Sequence, residues 1–164
     1  MCFVDPEDIY DGNKFHLHVD VKILWIKGLE RTRLKDFTQK CEDPSVISVF
    51  VNDDEFYVSK DVLTRNSPFM ERKWKTMIER SKNQRNYFEF NDINPDIFHD
   101  ILELLYGYNA LTDDNVVAVS EMAYDLQFES IKEKCEEYLV GSQLLNDKEK
   151  FQHATKFDMP KLRF

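Results

Sequence analysis

The chain has 164 residues, 42% of them apolar and 32% charged, with a net charge of −9. That length fits one domain plus a short appendage, and the mixture belongs to a packed globular chain rather than a disordered one. The negative charge opposes approach to nucleic-acid phosphates and to anionic lipid, so neither nucleic acid nor a membrane is an expected partner.

From the first residue, MCFVDPEDIYDG lacks the basic stretch followed by an apolar one that marks a secretory leader. No window approaches the roughly 20 apolar residues of a membrane span. Cys2, Cys41 and Cys135 are odd in number and widely spaced, which predicts reduced thiols in the cytoplasm and/or the nucleus.

Asp-Pro and Asp-Gly turn signals open the chain. Residues 15–25 then alternate strictly, with Phe15, Leu17, Val19, Val21, Ile23 and Trp25 apolar, the pattern of a half-buried strand. Gly28 closes that segment, and the spacing of Leu34 and Phe37 predicts a short amphipathic helix or helical linker over 29–40. After a turn at Asp43-Pro44, VISVFV (46–51) and EFYV (55–58) predict a β-hairpin around Asn52-Asp53-Asp54.

From Ser59 the pattern turns helical. A short helix over 60–65 ends at Asn66-Ser67-Pro68, and a longer one runs over 69–80 with Phe69, Met70, Trp74, Met77 and Ile78 apolar. YFEF (87–90) predicts a third strand. Asn94-Pro95 reads as the capped start of a helix that buries Ile97, Phe98, Ile101, Leu102, Leu104 and Leu105 and stops at Gly107. Thr112 is the expected cap of the next helix, Phe128 to Leu139 carries another, and a last helix over 147–157 places Phe151, Ala154 and Phe157 on one side. A hairpin, two helices, a strand and then a run of helices make an α+β domain.

Charge is uneven along the chain. Residues 71–85 hold six basic side chains (Arg72, Lys73, Lys75, Arg80, Lys82, Arg85), while Asn91 to Ile131 holds none and includes Asp96, Asp100 and Glu103. Two solvated helix faces of opposite sign account for this, with a partner-steering patch as the other reading.

Catalytic signals are missing. Four scattered glycines cannot build a phosphate-binding loop, and no GxSxG, HExxH or kinase-like HRD occurs. His16 and His18 share a strand face, as two metal ligands could, but a polar strand face explains them equally and no third ligand is evident. Cys135 sits among apolar helix positions, as a core thiol does. No catalytic residue, cofactor or metal is therefore expected.

The segments VFVNDDEFYVSKDVLTRNSPFM, FNDINPDIFHDILELLYGY and LQFESIKEKCEEYL together resemble a BTB/POZ domain, with a small, mainly antiparallel sheet and a cluster of helices. Two positions depart from the family pattern. Ser59 stands where most members have histidine, and Pro44-Ser45 where an aspartate precedes the first strand. The FYVSK and LLYG wording is similar to the nematode-type branch in which MATH and BTB domains are fused.

The resemblance implies four parts: residues 1–28 as the remnant of a MATH C-terminal strand, 29–43 as linker and first dimerisation helix, 44–140 as the BTB/POZ domain, and 141–164 as the start of a BACK-like helical extension. It implies a protein-interaction module that pairs with itself or with another BTB protein, with dimer contacts at Leu34, Phe37, Val46, Val62, Leu63 and Phe69. It further implies an adaptor that presents an unknown substrate protein to a cullin-3 ubiquitin ligase, with Met77, Ile78 and Glu79 matching the hydrophobic-x-Glu pattern of cullin-3 adaptors. A BTB scaffold that dimerises without recruiting a ligase is the other reading.

Overall fold

The computed structural model describes residues 33–80 and 87–163. The strand expected over 15–25, His16 and His18, and the MATH remnant expected over 1–28 lie outside them.

Strands β1 (Val46–Val51) and β2 (Asp54–Ser59) form an antiparallel hairpin in the register Val46↔Ser59 to Val51↔Asp54. The period of two puts Ile47, Val49, Val51, Phe56 and Val58 into the core and leaves Val46, Ser48, Phe50 and Tyr57 half-buried on the other face. Asn52 turns the hairpin with φ 53°, a left-handed conformation that asparagine tolerates. Its backbone N–H donates to the Phe90 carbonyl and its side-chain amide to that of Ile93, fixing the turn to the next strand.

Two helices then cross the sheet, α1 (Lys60–Asn66) and α2 (Pro68–Arg80). Between them Ser67 is fully buried, its Oγ accepting from the Met70 N–H and donating to the Leu126 carbonyl. The crossing returns the chain beside β1 in β1's own direction, so β3 (Tyr87–Phe90) pairs with it in parallel and the order is β2-β1-β3. The three-stranded sheet is thus mixed, with one antiparallel and one parallel pair, rather than mainly antiparallel.

Helix α3 (Pro95–Leu105) is specified at both ends. Asn94 accepts from the N–H groups of Asp96 and Ile97 with Pro95 in the first helical position. At the other end the Tyr108 N–H reaches the Glu103 carbonyl and the Gly107 N–H that of Leu104, with Gly107 at φ 88°. This double contact closes a helix through a left-handed residue, which glycine supplies without steric cost.

Helix α4 (Val116–Asp125) starts a turn later than a Thr112 cap would place it. The Asn115 side chain binds back to Thr112 instead of capping forward, which delays the first helical residue. Helices α5 (Glu129–Gly141) and α6 (Asp147–Lys156) and a short 3-10 turn (Pro160–Leu162) complete the chain, α6 opening with a reciprocal Asn146/Glu149 capping box. Ala154 on α6 and Phe157 just after it are buried, but Phe151, expected on the same side, is 57% exposed and His153 takes the inner position. Burial of His153 is possible because its Nε2 lies 2.7 Å from the Ser120 Oγ.

No helix forms within the described part of the segment expected to hold the first dimerisation helix, residues 33–43. Its backbone is committed elsewhere, to a carboxylate of α3 and to the edge of β2. Phe88, Phe98, Phe128, Leu63, Met70 and Ile131 are among the largest fully buried side chains of a core spanning sheet and helices, which makes the fold α+β. Among the described residues no helix is long and apolar enough to cross a membrane.

Candidate functional site

Two surfaces stand out, and the first is polar. Along α3, His99, Asp100 and Glu103 are 6%, 1% and 2% exposed, so the acidic run expected to be a solvated face is in part interior. Buried carboxylates need partners, and these have them. Arg33 reaches Asp100 Oδ1 at 2.9 Å and also pairs with the exposed Asp96. Asn115 Nδ2 donates to Asp100 Oδ2 at 2.7 Å and to the Ala110 carbonyl at 2.9 Å. Glu103 Oε1 accepts from the backbone N–H groups of Leu34 and Lys35.

His99 Nδ1 lies 3.7 Å from Glu103 Oε1 and, among the described residues, is the only buried side-chain N or O atom without a hydrogen bond. Burial, followed by the nearby Arg33 charge, holds the His99 pKa below the ordinary value, against the pull of Glu103, Asp100 and Asp36. The ligand atoms of His99, Asp100 and Glu103 lie within 4.8 Å of one another, a grouping able in principle to hold a cation. Its acceptors are already met by Arg33, Asn115 and two backbone donors, and Arg33 supplies the positive charge. The grouping works as a polar tie between the entering chain and α3.

Sequence reading missed this tie. Its trace was His99 and Asp100 set inside an apolar helix four and three positions before Glu103, spacings that put both beside it on one side. Nothing in composition shows that Arg33, 67 positions from Asp100, would meet them.

The second surface is apolar. Helix α2 turns Met70 fully inward and rests Trp74 against Phe88, with ring centroids 5.6 Å apart. Trp74 is therefore half-buried against the core. At the helix's C-terminal end Met77 is half-buried, while Ile78 (56% exposed) and Glu79 face solvent. An isoleucine so exposed on an otherwise charged turn is available to a partner.

The side chains expected at a dimer contact divide. Phe37 packs between His99 and Tyr106 at centroid distances of 5.2 and 5.1 Å, and it and Leu63 are core within the single chain. Leu34 is exposed, and Val46, Val62 and Phe69 are half-buried.

Cys135 is fully buried and burial pushes its thiol up to about 12, so it is not a nucleophile at neutral pH. What the described surface offers is packing area and charge, the means by which proteins hold other proteins.

That class has a family. The family profile described as "BTB/POZ domain" matches residues 33–143, and the chain belongs to it. The BTB domain is a protein-interaction module, and the match starts at Arg33, so it includes the entry segment that precedes β1. Two Caenorhabditis elegans proteins are similar: BTB and MATH domain-containing protein 15, 26% identical over 157 residues (96% of this chain), and protein 34, 33% identical over 98 residues (60%). The chain spans 57% of the first relative and 24% of the second. Among solved structures, the BTB domain of zebrafish PATZ1 is 22% identical with a TM-score of 0.48, over 58% of this chain and 75% of that one.

Proposed function

We propose that this chain is the pairing and ligase-binding part of an adaptor that brings a substrate protein to a cullin-3 ubiquitin ligase. The observation that carries the reading is the end of α2, where exposed Ile78 and Glu79 follow half-buried Met77 on a helix held to the core by Met70 and Trp74. A rigidly mounted apolar side chain next to a carboxylate can fill a pocket and fix orientation with one charge-assisted hydrogen bond. Ile78 and Met77 would supply the apolar contact and Glu79 the acceptor.

Pairing with a second copy, or with another BTB protein, would draw on Leu34, Val46, Val62 and Phe69, with Phe37 and Leu63 supporting them from within. A stable pair of this kind buries more than about 1,000 Å² in total. Sedimentation equilibrium at micromolar concentration should give twice the chain mass, and a monomer there contradicts the pairing.

For the ligase, titration of cullin-3's N-terminal region into the wild type should give saturable binding. Met77→Ala and Glu79→Ala, each shown by circular dichroism to be folded, should each weaken it by about tenfold or more. Absence of binding by the wild type assigns the chain to the scaffold class, a BTB pair without a ligase.

A further inference from the structure

The outer edge of β2 is covered by the chain's own entry segment. In the β1/β2 register, Tyr57 stands opposite Ser48 with its own N–H and C=O turned away from β1, and its N–H donates to the Phe37 carbonyl at 2.7 Å. Two residues on, the Ser59 N–H, facing the same way, donates to the Tyr106 hydroxyl at 3.1 Å. An uncovered strand edge with such donors is a template for another strand. Here Phe37 and Tyr106 occupy it, with the Lys35 ammonium 4.1 Å from the Tyr106 ring centroid.

What keeps Phe37 there is charge on α3. Arg33 binds Asp96 and Asp100, and Glu103 collects the amides of Leu34 and Lys35, so three consecutive residues are tied before Phe37 inserts. The charged groups around this latch are Arg33, Lys35 and Asp36 on the segment, Asp96, Asp100 and Glu103 on α3, and Asp54 on β2, which lines the same 260 Å³ cavity as Arg33, Asp36 and His99.

We propose that residues 33–37 are a strap, latched in cis by Arg33 and Glu103, that guards the β2 edge, and that opening the latch turns this edge into a docking site for an extended strand carrying the sequence of residues 33–40. The strap reaches its socket through the chain itself, so its effective concentration there is far above that of any free strand, and a free strand can compete only when the latch is weakened. The inference stands independently of whether the chain pairs or recruits a ligase.

Residue-resolved amide exchange on the full chain tests it. The Tyr57 amide, bound to the strap, should exchange at least about tenfold faster in Arg33→Ala than in the wild type, with the Val58 amide, which faces β1, unchanged. Leu34→Pro, which removes one donor to Glu103 and leaves every buried side chain in place, should act in the same direction. A synthetic peptide of residues 33–40 should restore Tyr57 protection in the variants and leave the wild type unaltered. An unchanged Tyr57 rate in both variants, a parallel rise at Val58, or failure of the peptide to restore protection would each overturn the proposal.

Discussion

Helices α2 and α3 differ by two residues in length and perform opposite tasks. In α3 the seven residues from Phe98 to Leu104 are all buried, both ends are capped, and its polar side chains tie down the entering chain and Asn115. Among the described side chains of α2 only Met70 is fully buried, Trp74 and Met77 are half-buried, and the last turn presents Ile78 to solvent. One helix is mostly interior and the other exposes its last turn, so under the proposed function substitutions in α3 should register in folding and those at the end of α2 in binding.

The largest effect expected on that contrast comes from Phe98. It is fully buried against Phe56 and Phe90, and Phe98→Ala should cost about 3–5 kcal/mol, read as a lower midpoint in urea denaturation. Asn115→Ala comes next. It strips a partner from buried Asp100 and from the Ala110 carbonyl, for about 1–3 kcal/mol in the same assay.

Acid sharpens the comparison further, because it acts on buried histidines. His99 on α3 and His153 on α6 are both held below the ordinary histidine pKa, chiefly by burial. The unfolded chain therefore takes up protons first, near pH 6.5, and the folded chain only at lower pH. Stability should be level above about pH 7 and fall as pH drops through 6.5, with the fall reduced in His99→Gln; thermal melts between pH 5 and 8 would show it. Ile78→Asp completes the series with a stability change within about 0.5 kcal/mol, as expected of an exposed site, while binding of cullin-3's N-terminal region is lost.

Local signals carried most of the element plan. The β-branched and aromatic run 46–51, the Asn94-Pro95 start and the Gly107 stop each depend on neighbours within a few residues, and each is found as read. Readings failed where a distant partner decides. Leu34 and Phe37 have helical spacing, but Glu103, 69 positions from Leu34, takes their segment's amides and no helix forms. Phe151 and His153 exchange places because Ser120 gives the histidine a buried partner. The direction in which β3 pairs is likewise set by the crossing of α1 and α2 rather than by YFEF itself. At the α2 end Met77, Ile78 and Glu79 are legible as a pattern only through the family resemblance, and which of them faces solvent depends on how Trp74 meets Phe88.

Hydrogen–deuterium exchange across the chain, with and without the N-terminal region of cullin-3, tests the division of labour between the two helices most directly. The account predicts added protection over the C-terminal turn of α2, around residues 77–80, and none over α3. Protection that appears on α3 instead, or nowhere on the chain at saturating cullin-3, would contradict it.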